Sequence, residues 1–263
     1  MRIVTWNINS IRLRLENLAK LSKAESPDII CLQETKVQDS EFPFEYITNL
    51  GYQHIAICGE KSFNGVATLS RIKLENIQFL KLVKQEPCRH ISVDLPHNIT
   101  LHNFYVPAGG DIPDPNLNPH FAYKLNFLDH MTELFNNNIN INKKIIMVGD
   151  LNVAPLEHDV WSHKQLLKVV SHTPIEVEKL SNLQNTLKWC DTHRHFISKD
   201  QKLYSWWSYR NRDWRKSDRG RRLDHIWITP ALINNLKKAY IIKDARDWTL
   251  PSDHVPVIAE FAL

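Results

Sequence analysis

Six times along this chain a short run rich in Ile, Val and aromatic residues meets a carboxylate, carboxamide, phenol or imidazole, and the six lie far apart in sequence. They are Asn7 in RIVTWN, Glu34 in IICLQE, Tyr105 in LHNFY, Asp150 and Asn152 in KKIIMVGDLN, Asp224 in RRLDHIWI, and Asp253 with His254 in SDHVPVIAEF. Runs of this length and composition read as strands. A sheet holds its strand ends side by side about 5 Å apart, so polar residues at those ends converge. The chain is thereby constrained to a fold that gathers one acidic site from its whole length. Clustered carboxylate and amide oxygens suit Mg²⁺, and Mg²⁺ suits phosphate chemistry.

Between these runs the pattern alternates with helices. Ser10 is placed to cap a helix carrying Ile11, Leu15, Leu18 and Leu21, which ends before Pro27, and the strand DIICLQE follows. Gly51 closes a short helix with Phe44 and Ile47 ahead of a strand at YQHIAIC. NGVATLS, ISVDL and TLHNFYV are expected to continue this first sheet. Pro119 opens a long amphipathic helix with Phe121, Leu125, Leu128, Met131, Leu134 and Phe135 on one stripe, ended by the Asn-rich stretch 136–142. In the second half, Thr173-Pro174-Ile175-Glu176 has the form of a capping box with proline at the first helical position. No linker rich in Gly, Ser or Pro divides the chain, so one domain over residues 1–263 is expected, built of two packed sheets with helices outside.

The 43% hydrophobic and 24% charged residues are those of an ordinary globular protein. No run approaches the roughly 18 apolar residues of a membrane span, and MRIVTWN opens as a strand rather than a secretion signal, so a cytoplasmic location is expected. The four cysteines form no CxxC pair and are expected as reduced, mostly buried thiols, with no zinc site. His193 and His195 in DTHRH read as surface residues rather than metal ligands.

Net charge is only +4, but its placement is uneven. Residues 204–222, YSWWSYRNRDWRKSDRGRR, hold seven Arg and Lys against Asp213 and Asp218, a net +5 that leaves the rest of the chain at −1. A focused basic, aromatic segment fits an anionic polymer. Arg210, Arg212, Arg215, Lys216 and Arg219 are expected to meet backbone phosphates and Trp214 an exposed sugar or base. Of Trp206 and Trp207, adjacent on a strand, at least one is expected in the core.

Singly, each polar end is equally a loop or packing residue. Jointly, the strings TWNINSIR, PDIICLQETK, NGVATLSR, NFYVP, VGDLNVAP, YSWWSYR, GRRLDHIW and SDHVPV closely resemble the exonuclease III family of apurinic/apyrimidinic endonucleases, within the wider endonuclease/exonuclease/phosphatase superfamily. The resemblance runs from residue 5 to residue 257. It implies a deoxyribonuclease-I-like, four-layer α/β sandwich, in which two mixed β-sheets are flanked by helices. It also implies a monomer that cuts duplex DNA 5′ to abasic sites, with 3′ to 5′ exonuclease and 3′-end-cleaning activity, using Mg²⁺ or, in its place, Mn²⁺.

By the same resemblance Glu34, Asn7 and Asp253 hold the metal, and Asp150 orients or deprotonates the attacking water. Asn152 holds the phosphate, His254 contacts it, Asp224 orients His254, and Tyr105 stands near the leaving oxygen. Asp150, Asn152 and His254 either form a second ion site or bond water and phosphate directly. Trp248 and Phe196 are candidates for a pocket that selects the missing base. Ala108-Gly109-Gly110 departs from relatives that carry Asn or Gln after the Tyr-Val-Pro, which weakens one phosphate contact. The competing readings are a same-fold phosphodiesterase acting on RNA or phospholipid, and a non-catalytic DNA-binding protein.

Overall fold

The structure, a computed structural model, describes residues 1–80, 88–136 and 141–263. Its strands are β1 (Arg2–Asn7), β2 (Ile29–Gln33), β3 (His54–Glu60), β4 (Phe63–Ser70), β5 (Glu75–Gln78), β6 (His90–Leu95), β7 (Ile99–Tyr105) and β8 (Lys144–Asp150), then β9 (Cys190–Asp191), β10 (Trp206–Trp207), β11 (Gly220–Arg221), β12 (Asp224–Ile228), β13 (Leu236–Ile241) and β14 (Val257–Phe261). The α-helices are α1 (Leu15–Glu25), α2 (Phe44–Asn49), α3 (Pro119–Asn136), α4 (His163–Leu166), α5 (Pro174–Thr186), α6 (Thr192–Phe196) and α7 (Trp214–Ser217). One six-stranded sheet has the order β13-β14-β1-β2-β4-β3 and the other β5-β6-β7-β8-β12-β9.

Hydrophobic side chains alternate between two destinations along the central strands. Ile3, Ile29, Cys31, Leu101, Ile146, Val148, Ile226 and Val257 meet between the sheets. The intervening Val4, Trp6, Ile30 and Leu32 pack under Leu18 and Leu21 of α1, and Phe104, Ile145, Met147 and Trp227 pack under Leu128, Met131 and Leu180 of α3 and α5. Strands buried on both faces need apolar residues at successive positions, which is why they read as continuous runs. The layers are helix, sheet, sheet, helix, as expected from the sequence.

Each sheet contains one parallel pair joined through a helix: β1 with β2 through α1, and β7 with β8 through α3. Parallel strands end at the same rim, so Asn7 pairs with Gln33, just before Glu34, and Tyr105 pairs with Asp150. The β12 and β14 strands run antiparallel to β8 and β1, so they deliver residues at their starts instead. Asp224 pairs directly with Asp150, and Asp253-His254 precede β14.

Several local expectations are corrected. ISVDL and TLHNFYV form β6 and β7 of the second sheet rather than continuing the first, because β7 pairs with β8 in the parallel crossover. Ser10 does not cap α1. It has φ 85°, and the Ser10 and Ile11 N–H groups donate to the Glu34 and Thr35 carbonyls, so the loop is tied to the end of β2 and the helix begins at Leu15. Only Cys31 of the four free cysteines is buried; the other three are half-buried. His193 lies in the core rather than at the surface, its Nε2 against the Tyr240 carbonyl at 3.1 Å. The capping box at Thr173 is present, and the end expected for α3 runs into 137–140, outside the described residues.

Gly149 carries a testable constraint. Its φ is +147°, and a Cβ there would sit 1.9 Å from the Phe104 carbonyl oxygen on the paired strand. Gly149→Ala is therefore expected to destabilise the protein by about 3 kcal/mol through backbone strain and displacement of β7. A urea midpoint equal to that of the parent would contradict this.

Candidate active site

The two sheets meet at one rim through Asn7. Its Nδ2 donates to Glu34 Oε1 and to Asp150 Oδ2, both at 2.9 Å, while its Oδ1 accepts from the Asn9 N–H at 3.1 Å. Every polar atom of this fully buried amide is used. Beneath it, Gln33 Nε2 donates to Thr5 Oγ1 at 2.9 Å and to Asn103 Oδ1 at 2.7 Å, a polar bolt between the sheets that fixes where the strand ends stand.

Four residues of the site are held in left-handed backbone conformations, Asn9 at φ 47°, Glu34 at φ 51°, Lys36 at φ 52° and Asn152 at φ 53°. Non-glycine residues adopt this region at an energetic cost. Glu34 Oε1 also accepts from the Tyr105 hydroxyl at 2.8 Å, and Oε2 lies 2.8 Å from the Lys36 ammonium. Burial opposes the charge of Glu34, yet Lys36 and the Asn7 amide hold it below the ordinary carboxylate range. Burial, with Glu34 and Asp150 nearby, pushes the Tyr105 phenol well above its usual value, so it stays a neutral donor. The Arg89 guanidinium lies over its ring at 4.7 Å.

The other half is a line of acid and base. Asp150 Oδ1 accepts from the Asn152 N–H at 3.0 Å and Oδ2 from the Asn152 Nδ2 at 3.2 Å. His254 Nε2 lies 3.7 Å from Asp150 Oδ2, while its Nδ1 is 2.8 Å from Asp224 Oδ2, which also accepts from Ser205 Oγ at 2.6 Å. Burial raises the Asp150 carboxyl to about 7, against the pull of His254. Burial disfavours the His254 imidazolium, but the carboxylates of Asp224 and Asp150 outweigh it and push His254 up to about 10. Such a pair can present a base and a cation to one ligand at neutral pH.

Asp253 stands on the opposite wall. Its Oδ1 accepts from Asn9 Nδ2 at 3.0 Å and its Oδ2 from Trp206 Nε1 at 2.9 Å. Lys36 Nζ donates to Asn9 Oδ1 at 2.6 Å, so Glu34 and Asp253 are linked through Lys36 and Asn9. The hard oxygens of Glu34 and Asp253 are of the type a divalent cation takes. Among the described residues, the ligand atoms of Asp150, Asp224 and His254 lie within 4.8 Å of one another, and Asp224 Oδ1 is buried with no hydrogen-bond partner. The residues present fit a divalent metal.

All eight residues expected at the metal and the reacting phosphate are thus brought to one rim. The basic segment is divided. Arg210, Arg212, Arg215, Lys216 and Arg219 are all exposed, and Arg215 also pairs at the surface with Asp244 at 2.6 Å and Asp247 at 2.5 Å. Trp214 does not offer a stacking face: it is buried against Trp207 and donates its Nε1 to Asp247 at 2.6 Å. Arg222 is buried in ion pairs with Asp159 and Asp191. Trp207 is the core member of the tryptophan pair and Trp206 lines a cleft of about 430 Å³ with Trp161, Arg210, Arg219 and Arg221. Trp248 and Phe196 do not line it. Trp248 packs edge-on against Trp6, and Phe196 sits on α6, which packs on β12 and β13.

The sequence reading did not pick out Asn9, Lys36, Ser205 or Arg89. Lys36 was recoverable from LQETK, two residues beyond Glu34. Ser205 and Arg89 carried no signal, since each reaches the site from a chain segment whose proximity only the packing reveals.

A model of the endonuclease/exonuclease/phosphatase family matches residues 4–254. The chain is similar to exodeoxyribonuclease III of Haemophilus influenzae, 29% identical over 275 residues that cover 99% of this chain and 100% of that protein. It superposes on an AP endonuclease from Archaeoglobus fulgidus with a TM-score of 0.93 at 31% identity, covering 100% of both chains. It likewise superposes on the 3′ phosphatase NExo from Neisseria, bound to a product DNA hairpin, with a TM-score of 0.91 at 30% identity and 100% of both chains covered.

Proposed function

Because this chain belongs to the endonuclease/exonuclease/phosphatase family, in its exonuclease III branch, we propose that it is a DNA repair nuclease that hydrolyses duplex DNA 5′ to abasic sites and trims 3′ ends. The observation that carries this reading is the bridge at the rim. Asn7 joins Glu34 of one sheet to Asp150 of the other, and Asp150 faces a His254 held by Asp224.

Hydrolysis of a phosphodiester is among the slowest uncatalysed reactions, and its barrier must fall by roughly 20 kcal/mol. Glu34, Asp253 and the neighbouring Asn7 would hold Mg²⁺, or Mn²⁺ in its place, which when bound would supply Lewis-acid neutralisation of phosphate charge. The remaining work falls to side chains. Asp150, with its carboxyl near 7, accepts a proton from the attacking water as that water approaches phosphorus in line. His254 faces a phosphate oxygen as a cation, its Nδ1 proton on Asp224. The neutral Tyr105 hydroxyl, which donates to Glu34 in the free protein, and the Asn152 amide, which donates to Asp150 and the Val106 carbonyl, would turn toward the departing 3′-oxygen and the phosphate when substrate binds.

The lesion sugar enters the Trp206 cleft, since a nucleotide without a base costs less to extrude than an intact one. No helix among the described residues is long and apolar enough to cross a membrane. A monomer of one domain, 1–263, acting in the cytoplasm is part of the proposal.

DNA contacts fall to the exposed guanidinium and ammonium groups. Replacing Arg210, Arg212 and Lys216 together with alanine is expected to flatten the log-log dependence of DNA binding on salt by about 0.9 per lost phosphate contact. An unchanged slope would remove this segment from the interface. Substrate class is tested by presenting matched duplex DNA with one tetrahydrofuran site, the same sequence as RNA, and a phospholipid. Cleavage confined to the DNA lesion is expected, and preferential RNA or lipid hydrolysis would overturn the reading.

A further inference from the structure

Lys124, on α3, is fully buried, and so is its partner Glu176 on α5. Burying both charges of an ion pair is costly, and apolar residues of the same size would fill this space at least as well. The hydrogen bonds indicate what the pair does instead. Lys124 Nζ donates to Glu176 Oε1 at 2.5 Å, to the Asn152 carbonyl at 2.7 Å and to the Ala108 carbonyl at 3.3 Å, so all three of its donors are engaged. Glu176 Oε2 is anchored in turn by Thr173 Oγ1 at 2.7 Å and the Ser171 N–H at 2.9 Å. Packing around the stem is close, since a Cβ at Gly109 would lie 2.8 Å from Lys124 Cδ.

The two carbonyls held by Lys124 belong to the loops leaving β7 and β8. Asn152 is the left-handed residue whose N–H and side-chain amide bind both oxygens of Asp150, and its Nδ2 also reaches the Val106 carbonyl at 2.9 Å. We propose that Lys124, braced by Glu176, is a positioning residue: by holding the Asn152 carbonyl inward it fixes the turn that aims the Asn152 amide and the Asp150 carboxylate. Lys124 touches neither substrate nor reacting atoms. This deepens the hydrolytic reading of the site and rests on it.

The test replaces the ion pair by a neutral pair of similar size, Lys124→Met with Glu176→Gln. Single-turnover nicking of the lesion duplex is expected to slow at least tenfold, with DNA affinity within threefold of the parent and a similar unfolding midpoint. Introducing the neutral pair into Asn152→Ala is expected to slow that variant by less than a further threefold, because both changes act through one element. A parental rate in the folded neutral pair, or losses that multiply independently, would overturn the proposal. Should the neutral pair not fold, Glu176→Gln alone, which loosens the brace, is expected to slow nicking at least threefold and to speed exchange of the Asn152 N–H; parental values of both would overturn the proposal. A parent that nicks no lesion duplex sinks the hydrolytic reading instead. In that case hydrogen exchange decides: the Asn152 amide is expected to exchange at least tenfold faster in the neutral pair, and unchanged exchange overturns the brace.

Discussion

Asp150→Asn is expected to lower single-turnover nicking by about 100-fold or more while leaving duplex affinity equal or slightly tighter, a loss in the range that general acid-base catalysis supplies. The substitution keeps the shape of the side chain and its acceptor for the Asn152 N–H, so the fold around β8 is retained. What it removes is the capacity to take a proton. The pH profile separates this from a packing effect. Burial raises the Asp150 carboxyl to about 7, and the active form is the deprotonated one, so activity is present above that value and declines as pH falls through it. A bound divalent cation moves that limb to lower pH. The limb is expected in kcat/KM of the parent and absent from Asp150→Asn; a variant that keeps both the rate and the limb would remove Asp150 from the chemistry.

His254→Ala is expected to cost a similar factor, for a different reason. Its cation is sustained by Asp224 at 2.8 Å and Asp150 at 3.7 Å against the penalty of burial. The protonated form faces the phosphate, so activity persists through neutral pH and falls as pH rises through about 10. Asp224→Asn leaves burial less opposed and is expected to lower the imidazole titration, read by nitrogen chemical shifts, toward or below its ordinary value. It should also slow nicking even though the carboxamide has the size of the carboxylate it replaces. An imidazole that still titrates near 10 in Asp224→Asn would show that the orienting pair is not what sustains the charge.

Legibility followed the physics of each segment. The strand runs were plain because strands covered on both faces must be apolar at successive positions, as in Ile145-Ile146-Met147-Val148. The polar ends of those runs were plain because each interrupts such a run. Partner assignment was not, since nothing local to ISVDL or TLHNFYV says which sheet receives them; that depends on β7 finding β8 across α3. Ser10 had the chemistry of a cap, but the Ser10 and Ile11 N–H groups tie this segment to the chain beyond β2, so the helix begins only at Leu15; those contacts are made only when the chain has folded. The pairing of the basic segment was hidden for a related reason. Composition counts Arg215 and Arg222 as free charge, whereas Asp244, Asp247, Asp159 and Asp191 reach them from elsewhere in the chain. In the same way Trp214, polar in context and aromatic in type, looked available until Trp207 and Asp247 were seen to enclose it.

The most direct test of a phosphodiesterase assembled from both sheets is a nicking assay on an end-labelled duplex carrying one tetrahydrofuran site, with Mg²⁺ or EDTA. With Mg²⁺, one incision immediately 5′ to the lesion is expected, leaving a 3′-hydroxyl and a 5′-phosphorylated abasic fragment, and with EDTA none. Intact duplex in the presence of Mg²⁺, or equal incision in EDTA, would contradict the account.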